Sequence, residues 1–552
     1  MTPRSTHPCF TVDGRPFLSI GGQARNSSAF NREDTDVACR AVATLGGNTV
    51  ALPVSWELFE PEEGRFDRSL VHRIIDQARE HGLRLVVLWF ATWKNGTMEY
   101  APTWVKTDQE RFPRTRYPDG SPTFVLSCHA AANREADALA FAELMATIRD
   151  HDAGVGTVIG VQVENEPGIY APVRRDFGPE GERDFRADVP PVLLAALREH
   201  PGSPIAAAWC AAGSPSGGSW SQVFGDLAAE VCTTWHVATY VNAVAARGRA
   251  VHDLPLTANV WVDTGFWGVG GLDYPCGGAV HETGALDVWR AACPDLDLIC
   301  PDVYVADERG YRETIDAYAD PDAGWPLFVP ESANRNPNTA FMFHALGARG
   351  AIGQHVFGIE ELVDTTGAPT ATGEVFARSF AMLRNIERLL VPAREAGAVH
   401  AIVQAPGQRG TRLPVRGWLC AVTYVGPDFR WNGTDFRHLA GLAEEFETRS
   451  SLDDELARGL LVQTGPDEFF LVGHGMRVFF QPPLDGDGAV PYSLIGPTHQ
   501  AASLPTLAIE EGRFADDGRF VVDRVRTGDE ARHGIWLAAD CGVVRVLLTP
   551  GA

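Results

Sequence analysis

The chain reads as an α/β protein: a (β/α)8 TIM barrel followed by a C-terminal all-β sandwich. Three observations predict this. Eight strand-sized apolar runs fall between residues 17 and 357, helix-patterned segments separate them, and after about residue 397 the pattern changes to short alternating runs. The domains are therefore expected at 1–396 (catalytic barrel) and 397–552 (β-sandwich).

In order, Phe17-Leu-Ser-Ile-Gly-Gly is the first strand, and Val37, Ala41 and Leu45 share a face of a helix that stops at Gly46-Gly47. Asn48-Thr-Val-Ala-Leu is the second strand. Asp67 then opens a helix with Leu70, Val71, Ile74, Ile75 and Ala78 on its apolar stripe and Gly82 at its end. Leu85 to Phe90 is the third strand, followed by an Ala-rich helix from Arg134 to Arg149. The remaining strands are Val158 to Val163, Leu256 to Val262, Leu296 to Tyr304, Pro326 to Val329 and Gly350 to Phe357. A helix over Glu374 to Leu390, with Phe376, Phe380, Leu383, Ile386 and Leu390 at helical spacing, would complete the ring. Long connections rich in Pro, Gly, Ser and Trp, Lys94 to His129 and Ala211 to Phe224, are expected to build the barrel mouth. Beyond them, Trp418-Leu-Cys-Ala-Val-Thr-Tyr, Glu468-Phe-Phe-Leu-Val, Met476-Arg-Val-Phe-Phe and Val543-Val-Arg-Val-Leu-Leu are the strands of the sandwich, a buttress for the barrel or a homo-oligomer contact.

Composition narrows the function. The 552 residues carry 71 acidic against 47 basic side chains, a formal charge of −24. Such a surface repels phosphate backbones, so no nucleic-acid partner is expected. Apolar runs such as Leu85 to Ala91 are far shorter than the roughly 20 residues that cross a bilayer, so no membrane partner is expected either. The first residues lack the layout of a secretory signal, which points to the cytoplasm. The ten cysteines are scattered, with the nearest pair, Cys293 and Cys300, too far apart in sequence for a zinc knuckle, and they read as buried free thiols. His281-Glu282 lacks the second His of a zinc-protease helix, and there is no P-loop and no strand-linked G-x-G-x-x-G. No cofactor and no metal are expected. The lysines, Lys94 and Lys106, sit outside the predicted strands, which argues against a Schiff-base aldolase.

Barrel enzymes carry their reacting groups at the C-terminal ends of strands. The fourth strand ends Val161-Gln-Val-Glu-Asn-Glu, placing Glu166 at the mouth, and the seventh ends Leu327-Phe-Val-Pro-Glu, placing Glu331 there. These strands face one another across a barrel, so the two carboxylates converge. A facing carboxylate pair is what glycoside hydrolysis uses, one as nucleophile and one, kept protonated, as acid. A neighbouring negative charge would raise the pKa of Glu166 and suit it to acid work.

Gln162-Val-Glu-Asn-Glu resembles the acid/base strand of clan A glycoside hydrolases, family 35 β-galactosidases in particular. Trp56-Glu-Leu-Phe-Glu-Pro-Glu-Glu-Gly-Arg-Phe-Asp is similar to the segment after strand two in families 35 and 42. Ile509-Glu-Glu-Gly-Arg-Phe and His533-Gly-Ile-Trp-Leu resemble the appended sandwich of a bacterial branch of family 35-like enzymes. The resemblance implies Glu166 as acid/base, Glu331 as nucleophile, Asn165 as donor to the sugar 2-hydroxyl, and Tyr304 beside the nucleophile. Thr92 and Pro53 stand where those galactosidases carry a Glu and a Tyr that touch sugar, which leaves the glycone open. Trp93, Lys94 and Asn95, which follow at the mouth, either contact the sugar or brace the long loop. Trp261 and Trp267 line a subsite or pack in the barrel wall, and Gln23, Arg25, Asn26, Gln354 and His355 hold mouth positions without a motif.

The expected function is a retaining exo-glycosidase that takes a terminal β-linked sugar from a glycoside or oligosaccharide. A β-galactoside is the first choice, and an arabinoside, xyloside or other pyranoside the alternative. The reading from a different class is a carbohydrate-binding barrel without turnover.

Overall fold

A computed structural model describes residues 10–262, 274–305, 307–320, 325–425, 455–481, 506–527, 530 and 534–549. The chain divides into two compact units, the first comprising residues 1–305, 313–333 and 352–361 and the second 306–312, 334–351 and 362–552.

The first unit is built on eight parallel strands: β1 (Ser19–Gln23), β2 (Thr49–Ser55), β3 (Arg84–Lys94), β4 (Val158–Asn165), β5 (Leu256–Trp261), β6 (Leu298–Val303), β7 (Glu331–Ser332) and β8 (Gly353–Phe357). They run in the order β7-β6-β5-β4-β3-β2-β1-β8. The Val329 amide donates to the Gly353 carbonyl (3.2 Å) and the His355 amide to the Val329 carbonyl (2.9 Å), so β8 also joins the chain leading into β7 and the cylinder closes. Alternate residues of the strands fill the interior, among them Ala51, Val86, Leu88, Phe90, Ile159, Leu298 and Cys300. Phe10 packs among them, edge-on to Phe328 at 5.1 Å.

The helices form as their apolar stripes require. In α1 (Arg32–Thr44) the Asn31 side chain caps the Asp34 amide at 2.8 Å. Its buried face is Thr35, Ala38, Cys39, Ala41 and Val42, whereas Val37, expected inside, is 37% exposed. Ala41 and Leu45 are buried as expected, and only Val37 lies off a stripe whose small residues let the helix lie close to the sheet. The stripe of α2 (Ser69–Glu80) is buried as expected, and Asp67 caps the Ser69 amide at 2.9 Å. The Ala-rich helix is α3 (Ala131–His151), which packs on α4 (Ala228–Arg249) closely enough that a Cβ at Gly248 would stand 2.2 Å from the Phe141 ring. The strand seven expected at Pro326 to Val329 is displaced: regular pairing with β6 is confined to Glu331–Ser332, since the two prolines, Pro326 and Pro330, remove amide donors from the run before it.

Among the described residues, the second unit contains α5 (Ala371–Glu395) and ten antiparallel strands: β9 (Val399–Val403), β10 (Gly410–Val415), β11 (Trp418–Tyr424), β12 (Arg458–Gly465), β13 (Glu468–His474), β14 (Met476–Gln481), β15 (Thr506–Phe514), β16 (Phe520–Arg526), β17 (Ile535–Leu537) and β18 (Val543–Leu548). A six-stranded sheet, β9-β12-β13-β18-β15-β16, and a four-stranded sheet, β10-β11-β14-β17, share one core of alternating residues that includes Tyr424, Leu461, Phe469, Val478 and Val546. Trp418 is buried in that core, its indole donating to Asp467 at 3.1 Å, which makes it a packing residue, while Trp431 lies outside the described residues.

Arg458 ties α5 to β12. Fully buried, it donates to Ser379 Oγ (2.7 Å), the Val375 carbonyl (3.0 Å), the Leu456 carbonyl (2.9 Å) and Glu455 (3.0 Å). Arg458→Met removes all four of these hydrogen bonds from a fully buried position and should cost about 3 kcal/mol or more, read from the urea midpoint of the full chain.

Among the described residues, no helix is long and apolar enough to cross a membrane.

Candidate active site

The C-terminal ends of the strands of the first unit bring the two predicted glutamates together. Carboxylate oxygens of Glu166, Glu331 and a third acid, Asp302 of β6, all lie within 4.8 Å of one another. All three residues are buried.

Glu331 is held by four donors. Gln23 Nε2 of β1 (2.7 Å), Asn259 Nδ2 of β5 (3.4 Å) and Asn165 Nδ2 of β4 (3.5 Å) approach Oε1, and the Tyr304 hydroxyl donates to Oε2 at 2.6 Å. Donors from four strand ends fix both oxygens in one orientation. The Tyr304 hydroxyl is pushed well above its usual range by burial and by the charge of Glu331, so it stays a donor.

The end of β4 is strained. Glu164 and Glu166, neither a glycine, take φ of +63° and +46° on either side of Asn165. Positive φ at such residues costs about 1 to 3 kcal/mol each and persists only where the surroundings fix it. They do so here. The Glu164 carboxylate accepts from the amides of Thr92 (3.3 Å) and Trp93 (2.7 Å), while the Glu166 amide donates to Asn259 Oδ1 at 2.9 Å. The Glu166 carbonyl accepts from the Gly96 amide at 3.0 Å. Gly96 belongs to a tight turn, Lys94-Asn95-Gly96-Thr97, whose central residues have φ of +53° and +69°, the hairpin geometry that Asn-Gly favours.

Electrostatics separates the acids. Burial, then the charge of Glu331, pushes Glu166 up to about 7, against the opposing pull of the Lys94 ammonium and a hydrogen bond with Asp302. Asp302 is raised well above its usual range by burial and by both glutamates. Burial and mutual repulsion thus favour the protonated form of both Glu166 and Asp302. Beneath them Glu164 is likewise raised, first by burial and then by Asp137, with which it shares a hydrogen bond. The three upper carboxyl groups are close enough to one another to chelate a cation.

The remaining predicted residues divide. Lys94 is the last residue of β3, in register with Asn165, because a bulge between Trp89 and Lys94 extends the strand past the expected end at Phe90. The expectation that no lysine lies in a strand is thus corrected. Its ammonium donates to Asn165 Oδ1 at 2.7 Å and lies 5.0 Å from the Phe90 ring, so it serves as a charge partner in the site. Because lysine only donates, this bond turns the Asn165 Nδ2 toward Glu331. Trp93 is fully buried, its ring edge-on to Tyr240 at 4.8 Å, and offers no open face to a sugar. Asn95 is exposed at the tip of the turn. Thr92 is buried and donates to Asp137 at 2.7 Å in the barrel wall. Trp261 stacks on Tyr170 with ring centroids 5.3 Å apart, both half-buried, whereas Trp267 lies outside the described residues. His355 bonds Ser19 Oγ at 2.8 Å inside the barrel, and Arg25 pairs with Glu361.

Asp302 and Asn259 were not singled out from the sequence. Their signal was present: each is a polar residue within an otherwise apolar strand, Cys300-Pro-Asp-Val-Tyr and Thr257-Ala-Asn-Val-Trp.

Comparison with known proteins agrees in part of the chain. Residues 26–189 match a family model described as β-galactosidase (glycoside hydrolase family 42), and residues 376–538 match a domain of unknown function, DUF5597. The crystal structures of β-galactosidases from Bacillus circulans sp. alkalophilus and Rahnella sp. R3 are similar at 16% and 18% identity. Their TM-scores are 0.47 and 0.46, over 69% and 70% of this chain and 58% of each of theirs. A β-galactosidase of Xanthomonas manihotis is 31% identical over 169 residues, 29% of this chain and 26% of that protein, so the match spans about a quarter of the relative's length.

Proposed function

We propose that the chain is a retaining β-glycosidase of the β-galactosidase type, with Glu331 as nucleophile and Glu166 as acid/base. One observation carries the reading: oxygens of the two carboxyl groups lie within 4.8 Å of each other. Retaining enzymes hold the pair about 5 to 5.5 Å apart, inverting enzymes about 6.5 to 9.5 Å apart to admit a water.

In the first step a Glu331 oxygen attacks the anomeric carbon while Glu166 gives its proton to the departing oxygen. In the second, Glu166 takes a proton from water, which attacks the same carbon and frees Glu331. Tyr304 and Gln23 orient the nucleophile. Asn165, its amide turned by Lys94, donates to the sugar 2-hydroxyl, a contact that strengthens as the oxocarbenium-like state forms. Asn259 joins the Glu166 backbone to Asp302 and Glu331, so acid and nucleophile share one strut. The stacked Trp261 and Tyr170 supply the apolar face for the sugar ring that Trp93 does not. The similarity of Gln162 to Glu166 to family 35, the division at residue 396 and the exo preference belong to the same proposal. The free thiols of the nine described cysteines suit the reducing conditions of a cytoplasm.

A panel of nitrophenyl β-galactoside, α-arabinoside and β-xyloside tests the reading and ranks the glycones. Absence of turnover on every β-linked sugar would overturn it in favour of binding alone. Tyr304→Phe should lower kcat about 10- to 100-fold with little change in KM, through loss of one charge-assisted hydrogen bond to the nucleophile, measured by initial rates on the preferred glycoside.

A further inference from the structure

A second convergence of polar side chains lies outside the carboxylate cluster. His129 stands two residues before α3, Asp184 lies on the short helix Pro179–Arg186, and His236 projects from α4. One ligand atom from each lies within 4.8 Å of the other two. His129 Nδ1 is 2.9 Å and His236 Nε2 3.7 Å from the same oxygen, Asp184 Oδ2, and the two imidazole rings are 4.4 Å apart.

A His129–Asp184 ion pair accounts for the shorter contact but not for His236. Its Nδ1 is 2.8 Å from the Cys232 carbonyl, which only accepts, so the proton sits on Nδ1. Nε2 thus faces the Asp184 oxygen at 3.7 Å, too far for a hydrogen bond, while Nδ1 is held by the carbonyl. That is the arrangement of a metal-ligating histidine, whose second nitrogen donates to a backbone carbonyl and fixes the tautomer. The Asp184 side chain is 20% exposed and that of His236 21%, which leaves an entry path, and the other Asp184 oxygen is occupied by Arg183 Nε at 2.8 Å. The thiol of Cys128 adjoins the His129 ring.

We propose that His129, Asp184 and His236 bind one divalent transition-metal ion of the zinc class. Two imidazoles and a carboxylate are a donor set that zinc accepts at about 2.0 to 2.2 Å, with the fourth position left for water. The ion ties the connections that follow β3 and β4 to α4. It braces the mouth, and none of its ligands is among the donors to Glu331.

The full chain, stripped with a chelator and dialysed, is titrated separately with Zn²⁺ and with Co²⁺. Zinc should raise Tm by several degrees, and cobalt should give visible d–d absorption that saturates at one equivalent. Both responses should disappear in His236→Ala and weaken in Asp184→Asn; these partly exposed positions are chosen because His129 is buried and its loss endangers folding. No shift with zinc and no cobalt spectrum in the wild-type chain overturns the proposal. So do responses that persist unchanged in both variants, since they would locate the ion elsewhere.

Discussion

Glu331→Ala should reduce kcat on every glycoside by about 10⁴-fold or more while leaving the folded chain intact, because it removes the group that forms the covalent intermediate. Sodium azide should restore part of the rate. The small anion enters the space between Gln23, Asn165, Asn259 and Tyr304, donors that the lost carboxylate leaves behind, and attacks the sugar from that side. The product would be a glycosyl azide of inverted anomeric configuration, identified by NMR. A variant that keeps turnover within tenfold of wild type, or an azide product of retained configuration, removes Glu331 from the nucleophile's role. The same substitution should move the acid: with the Glu331 charge gone, a principal cause raising Glu166 is lost and its titration shifts downward.

Glu166→Gln carries the second large effect. The first step needs the proton on Glu166, so wild-type kcat/KM for an alkyl glycoside should fall as pH rises through about 7. In the Gln variant that alkaline limb should vanish and the alkyl glycoside rate drop about 10²- to 10⁴-fold. A dinitrophenyl glycoside, whose leaving group needs no proton, should still give a rapid burst followed by slow release. An alkaline limb that survives the substitution assigns the acid to another group. Stability follows with its own sign. The folded state holds this carboxyl above its ordinary value of 4.5, so the contribution is complete below that pH and is lost as pH rises through about 7. Glu166→Gln escapes that loss and should be more stable than wild type above pH 8, by about 2 kcal/mol in urea melts.

Much of this was readable from the residues because periodicity and position carry it. The apolar stripe from Leu70 to Ala78, the run from Trp418 to Tyr424 and the two glutamates at strand ends are local patterns, and the structure keeps them. What escaped depends on relations between distant segments. Trp93 looked like a mouth residue because the strand seemed to end at Phe90; the bulge carries the strand to Lys94 and turns the indole into the wall beside Tyr240. Val37 fits a helical repeat but lies beside the true stripe. Asp302 and Asn259 belong to β6 and β5 and acquire meaning only when the cylinder brings them to β4 and β7. His129, Asp184 and His236 are spread over about a hundred residues with no motif spacing, so no scan for metal signatures would join them.

The two left-handed residues at the end of β4 have one more consequence. On a regular strand, neighbours point to opposite faces, so an Asn-Glu pair could never present both side chains to one ligand. Backbone inversion at 164 and again at 166 cancels that alternation and allows two adjacent positions to look the same way. Transplanting the dipeptide into an ideal barrel would therefore deliver only half of the pair. The portable unit is larger: the dipeptide, the buried acid before it, the amides of the neighbouring strand that hold that acid, and the short reversal that clasps the following carbonyl.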